Sequence, residues 1–113
     1  MHELSVAESI VRITKEKISQ YPDKIPVKLV LEIGLLSGID FDALDFAMKS
    51  VVKNTSIENC IIEIIRIEPL AKCGNCGHLF KAEDYIASCP ECGSIDIEFL
   101  KGRELLIRSI ELE

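Results

Sequence analysis

The 113-residue chain reads as an α+β protein in which two helices pack on one face of a three-stranded β-sheet, with a small cysteine-bearing unit inserted between two of the strands. Three observations predict this. Two segments place apolar residues at helical spacing; three others are short and rich in alternating or β-branched residues; and the last two of those strands are separated by Cys73-Gly74-Asn75-Cys76 and Cys89-Pro90-Glu91-Cys92.

In the first segment Leu4, Ala7, Ile10, Val11, Thr14 and Ile18 form one stripe, with Glu8, Arg12, Lys15 and Glu16 outside it, which predicts an amphipathic opening helix. The residue before a proline avoids helical backbone, so the helix is expected to end near Tyr21-Pro22. Val27, Leu29, Leu31 and Ile33 then alternate with Lys28, Val30 and Glu32, a half-buried strand running into Gly34. Asp40 is placed to N-cap a second helix whose apolar face is Phe41, Leu44, Ala47, Met48, Val51 and Val52, with Asn54-Thr55-Ser56 as its exit. Residues Ile61 to Glu68 are β-branched and stop at Pro69; apolar side chains on both faces predict a central strand. After Lys101-Gly102 the chain resumes with a third strand, Glu104 to Glu113. A strand following the cysteine segment makes the first domain discontinuous, residues 1–69 plus 99–113, with residues 70–98 inserted. Linkers near Pro69-Leu70 and Lys101-Gly102 are expected to let the angle between the two parts vary.

The two Cys-x-x-Cys clips are separated by twelve residues. Four thiolates so spaced suit one tetrahedral ion, and the inserted unit reads as a four-cysteine zinc ribbon held by Cys73, Cys76, Cys89 and Cys92. Gly77 and Gly93, after the second cysteine of each clip, are expected to let backbone pass close to the sulfurs. Four protein ligands leave no open position for water or substrate, so the site reads as structural rather than hydrolytic. A segment this short depends on its ion, which contributes on the order of 10 kcal/mol of folding free energy at neutral pH.

Two other functions fit the knuckles less well. Cys-x-x-Cys-Gly and Cys-Pro-x-Cys-Gly also resemble rubredoxin-like iron knuckles for electron transfer, but twelve intervening residues are short for that fold and aromatic content is 5%. A nucleic-acid-binding zinc ribbon needs a basic footprint; residues 70–98 carry two lysines against five carboxylates, and the chain has a net charge of −6. The remaining composition points to a reduced cytoplasmic setting with no membrane role: the cysteines form no disulfide framework, no apolar signal follows Met1, and no run approaches a membrane span of roughly 20 residues.

Met1-His2-Glu3 is the second notable feature. A penultimate histidine is bulky enough that methionine removal is expected to be inefficient. The α-amine, the next backbone amide and the His2 imidazole can close fused chelate rings around one ion, and the amide of Glu3 can complete a planar nitrogen set. Planar nitrogen ligands favour Ni(II) or Cu(II) over Zn(II). Such a site is labile and pH-dependent, because its ligands must all lose protons. The plain alternative is an exposed histidine at a frayed terminus. Asp40 has two readings as well, a helix cap or a carboxylate orienting His2 from beside the nickel. The Glu3 side chain can complement the dipole of the first helix while its amide binds metal. His78 reads as solvent-facing or as a hydrogen-bonding knuckle residue, and Cys60 as a small buried side chain rather than a nucleophile. There is no Gly-rich phosphate loop, so nucleotide energy must come from a partner.

Taken in order, Met1-His2-Glu3-Leu4-Ser5 with Ala7, Glu32-Ile33-Gly34 through Phe41 and Ala43-Leu44, the four-cysteine insertion, Gly102-Arg103-Glu104-Leu105 and Ser109-Ile110-Glu111 resemble the HypA/HybF hydrogenase nickel-incorporation family across the whole chain. The resemblance implies a metallochaperone with an α/β nickel-binding domain and a structural zinc domain. It implies nickel ligands at Met1, His2 and Glu3. It also implies delivery of Ni(II) to the large-subunit precursor of a [NiFe]-hydrogenase, alongside a HypB-type GTPase or a related nucleotide-hydrolysing maturation factor; some members also serve urease maturation. Some members carry histidines beside both clips, whereas this chain has only His78, two residues past Cys76.

Overall fold

The computed structural model describes residues 3–83 and 87–113; Met1 and His2, two of the three expected nickel ligands, lie outside the described residues. The elements are α1 (Glu3–Ile18), β1 (Pro26–Gly34), α2 (Phe41–Val51), β2 (Ile61–Ile67), β3 (Leu70–Cys73), β4 (Leu79–Lys81), β5 (Ile97–Lys101) and β6 (Leu105–Leu112). They form two three-stranded sheets, ordered β2-β1-β6 and β4-β3-β5.

The stripe of α1 buries Ala7, Ile10, Val11, Thr14 and Ile18. Thr14 is fully buried, and its hydroxyl donates to the Ile10 carbonyl at 2.7 Å, so the one polar side chain in this face is satisfied. Leu4 departs from the expected stripe: it is 54% exposed. The helix also stops at Ile18 rather than at Tyr21. A turn takes over there, with Ser19 Oγ donating to the Glu16 carbonyl at 2.6 Å and Tyr21 N–H to Ile18 O at 2.9 Å.

β1 is the central strand, and its Leu29, Leu31 and Ile33 are buried in the helix-facing core. β2 runs parallel to it with Leu29 opposite Ile62 and Leu31 opposite Ile64, the arrangement a β-α-β crossover through α2 requires. On the other side β6 is antiparallel, with Leu29 opposite Ile110 and Leu31 opposite Ile107. The register shift between Val30 and Leu31 leaves Arg108 unpaired, and this bulge blunts an open sheet edge. The expectation of a central β2 is therefore corrected: β2 is an edge strand, and Ile61 is 66% exposed. Its second apolar set, Ile65 and Ile67, lies opposite Glu32 and Gly34 and stays half-buried without a second layer over it. Apolar residues on both faces therefore do not by themselves identify a sheet centre.

Asp40 caps α2 as expected, with φ −81 and ψ 115, and its Oδ1 accepts the Ala43 N–H at 3.1 Å. Leu44, Ala47 and Met48 are buried under it. Asn54, in the predicted exit, holds φ 63, a left-handed conformation that asparagine tolerates.

β3 is the middle of the second sheet and Ala71 is fully buried there, opposite Phe80 on β4 and Phe99 on β5. Because Phe99 pairs with Ala71, residues 99–101 sit on this sheet, and the chain crosses to β6 at residues 102–104. The molecule measures 56 × 24 × 17 Å with a radius of gyration of 17.5 Å. A single compact globule of this length would have about 13 Å. The two sheets therefore stand end to end rather than packing face to face. Among the described residues no helix is long and apolar enough to cross a membrane.

Candidate metal centre

The two clips fold alike because their sequences repeat the same turn. In the first, Gly77 N–H donates to the Cys73 carbonyl at 2.9 Å and Cys73 N–H to the His78 carbonyl at 2.9 Å. In the second, Gly93 N–H donates to Cys89 O at 2.8 Å and Cys89 N–H to Ser94 O at 2.9 Å. Both glycines have positive φ, 78° and 76°, and a β-carbon on either would meet no atom within 4 Å beyond its adjacent residues. Their left-handed backbone is what the turn at each knuckle requires of a glycine. The first cysteine of each clip, Cys73 and Cys89, is buried at 1% and 2% exposure, while Cys76 and Cys92 are exposed.

The four Sγ atoms all lie within 4.8 Å of one another. Cys73 and Cys92 are 3.5 Å apart, as are Cys76 and Cys89. A tetrahedral ion with metal–sulfur bonds near 2.3 Å separates its sulfurs by about 3.8 Å, so the quartet fits one ion of that kind. The backbone supports negative sulfur: Asn75 and Cys76 N–H groups donate to Cys73 Sγ at 3.3 and 3.4 Å, and Glu91 N–H donates to Cys89 Sγ at 3.4 Å. Asn75 Nδ2 adds a contact to Cys92 Sγ at 3.6 Å, which spacing alone did not suggest.

These donors set an order of ionisation. The N–H of Cys76, followed by that of Asn75, outweighs burial and holds the Cys73 thiol down to about 6. The His78 N–H lowers Cys76, but the Cys89 sulfur, desolvation and the sulfurs of Cys73 and Cys92 together push it up to about 12. Four thiolates this close need a cation between them. His78 itself supplies its backbone to the knuckle, and its half-buried ring stacks on Phe80 with centroids 6.0 Å apart. Cys60 is half-buried at the margin of the helix-facing core, where burial raises its thiol pKa.

Away from the cysteines in sequence, Glu3 is the first residue of α1, and its Oε2 accepts the Asp40 N–H at 3.2 Å. The Asp40 carboxylate is turned to Ala43 N–H, as a cap. Glu3 and Asp40 are thus brought together, whereas the cysteine quartet belongs to the other sheet.

Known proteins share this architecture. The chain superposes on the solution structure of the Ni metallochaperone HypA from Helicobacter pylori with a TM-score of 0.68 at 23% identity, covering 99% of this chain and 97% of that one. On a second solution structure, of a HypA protein, the TM-score is 0.73 at 23% identity, covering 100% of this chain and 97% of the other. At that identity the likeness speaks to the fold. In sequence, the hydrogenase maturation factor HypA of Parabacteroides distasonis is 37% identical over 113 residues, covering 100% of this chain and 98% of that protein. That of Nostoc sp. is 40% identical over 114 residues, covering 100% and 96%. Residues 1–112 match the family model described as hydrogenase/urease nickel incorporation, metallochaperone, hypA. With the four-cysteine cluster and the paired three-stranded sheets in place, the chain belongs to the HypA family of nickel-incorporation metallochaperones.

Proposed function

We propose that this chain binds Ni(II) at its amino terminus through the Met1 amine, the His2 imidazole and backbone amides up to Glu3, and delivers it to the large-subunit precursor of a [NiFe]-hydrogenase. The observation that carries this reading is the position of Glu3. As the first residue of α1 its N–H has no intrahelical carbonyl to satisfy, so it can be given to a metal without opening the helix. Its carboxylate, held on the Asp40 N–H, fixes the backbone from which that amide projects. Planar nitrogen ligands select Ni(II) or Cu(II) by geometry, and a terminal site can release its ion as readily as it takes it.

Cys73, Cys76, Cys89 and Cys92 hold Zn(II) in a structural role in this reading, and the protein carries its cargo without catalysis of its own. The two sheets act as two domains, a discontinuous nickel-binding α/β domain and the inserted zinc ribbon. A HypB-type GTPase or related nucleotide-hydrolysing factor supplies the energy for transfer, since the sequence offers no phosphate loop. Urease maturation is a second outlet for the same cargo.

The test is a calorimetric nickel titration of Zn(II)-loaded protein with its native terminus, beside protein extended by a short amino-terminal tag. One Ni(II) bound by the first and none by the second is the expected result, with His2→Ala behaving like the extended form. Equal binding by native and extended protein would place the site elsewhere.

A further inference from the structure

The two chain crossings between the sheets are short, and both are pinned on a third segment. β2 passes to β3 through Glu68 and Pro69; β5 passes to β6 through Gly102, Arg103 and Glu104. The residues at the end of β1 grip both crossings. Leu35 N–H donates to Ile67 O at 3.0 Å, Leu36 N–H to Gly102 O at 2.7 Å, and Gly34 N–H to Glu104 O at 2.8 Å. Contact here is backbone on backbone. A β-carbon on Gly34 would overlap the Gly102 carbonyl and the Arg103 nitrogen, and one on Gly102 would stand 2.9 Å from Pro69 Cα.

Further contacts brace the same point. Gly102 holds φ 119, a conformation closed to side-chain-bearing residues, and its N–H is taken by Glu104 Oε1 at 2.8 Å. Pro69 and Gly102 are both buried. From the cysteine side, Ala82 N–H donates to Pro69 O at 3.3 Å, and Lys81 Nζ meets Glu68 Oε2 at 3.0 Å.

We propose that Gly34, Leu35 and Leu36 form a joint that locks the two sheets into one rigid body, so that the cysteine quartet is carried at a fixed direction from the start of α1. Bending at either crossing strips a backbone hydrogen bond from a packed site that offers no replacement partner. The gripping segment leads within four residues to Asp40, whose N–H is held by Glu3, and so the frame extends to the first residue of α1. The functional consequence rests on the nickel reading above: a client or partner meets the terminus and the ribbon at one set geometry. The joint itself stands whatever the nickel ligands are, and its test uses no nickel.

Residual dipolar couplings on ¹⁵N-labelled, Zn(II)-loaded full chain decide it. One alignment tensor is expected to fit the amides of both sheets; two tensors of different magnitude would overturn the proposal. In Gly34→Ala each sheet is expected to keep internally consistent couplings while the common tensor is lost, and persistence of the common tensor would remove the joint from Gly34. Should that variant not fold, Glu104→Ala removes only the side-chain acceptor of Gly102 N–H. It is expected to lower the agreement with a single tensor, and unchanged agreement would count against the joint.

Discussion

Glu3 Oε2 accepts the backbone N–H of Asp40 at 3.2 Å, joining residues 37 apart in sequence. Asp40 is also the N-cap of α2, so one contact ties the beginning of α1 to the beginning of α2. Both helices present apolar faces to the same sheet, and this contact fixes how far one slides along the other. Replacing Glu3 with Ala leaves the Asp40 N–H to water and is expected to cost about 1 kcal/mol. Glu3→Gln, which keeps an acceptor of the same reach, should lose less. Urea unfolding followed by helical circular dichroism measures both.

Asp40 separates capping from any effect of its charge. Its Oδ1 accepts Ala43 N–H at 3.1 Å from an extended backbone, the geometry that asparagine reproduces and alanine does not. Asp40→Ala is expected to destabilise the helix-sheet part by about 1 kcal/mol, and Asp40→Asn by only a few tenths. If the carboxylate also orients His2, nickel affinity will fall in the asparagine variant while stability is retained. Calorimetry beside urea unfolding checks the pair.

Much of this was legible in the sequence, and the exceptions share a cause. The stripe of α1 from Ala7 to Ile18, the alternation of β1 and the Asp40 cap are local patterns, set by residues a few positions apart, and each is found where the local signal put it. The cysteine quartet is also local within each clip, and its common geometry follows once both clips are seen to repeat. What failed depended on neighbours far along the chain. Ile61 to Ile67 carry apolar residues on both faces, but whether a strand is central is decided by which strands flank it, and β6 arrives more than thirty residues later. Likewise Phe99 belongs to the second sheet because it lies opposite Ala71, a pairing no local signal announces. The linkers read as hinges because Pro69 and Gly102 look like punctuation, and no local signal announces that the Leu36 N–H donates to the Gly102 carbonyl.

Removal of one thiolate tests how far the two sheets depend on a common ion. Cys73 is buried at 1% exposure and receives two N–H donors, so its loss removes both a ligand and the anchor of its knuckle. Cys73→Ala is expected to lose the metal and the ordered amides of β3, β4 and β5, while the helical signal from α1 and α2 persists. Treatment of the unaltered protein with a strong chelator should reproduce the same pattern. Two-dimensional NMR read beside circular dichroism distinguishes this from collapse of the whole chain.

Metal uptake should release protons, with a sign fixed by the thiols. At neutral pH Cys73, held down to about 6, is largely ionised already, whereas Cys76, pushed up to about 12, is protonated until a cation replaces its proton. Apparent Zn(II) affinity is therefore expected to rise with pH across the range between these values, by about tenfold per unit for each proton displaced, and to weaken as pH falls toward 6. Competition against a chromophoric chelator at several pH values gives the slope. A flat profile would mean that the quartet is fully ionised before the metal arrives.

The knuckle glycines offer a test in which sterics and backbone conformation separate. Gly77 has φ 78 and Gly93 φ 76, yet a β-carbon at either meets open space, so any penalty must come from the left-handed backbone itself. That conformation costs an ordinary L-residue roughly 1–2 kcal/mol and costs asparagine less. Gly77→Ala should therefore weaken Zn(II) binding by about tenfold, the equivalent of about 1.4 kcal/mol, and Gly77→Asn by a smaller factor although its side chain is larger. If volume mattered instead, the order would reverse. Both variants keep the N–H that donates to the Cys73 carbonyl, so the comparison isolates the conformational term. The matching pair at Gly93 should give the same ranking, since the two clips repeat the same hydrogen bonds around Cys73 and Cys89.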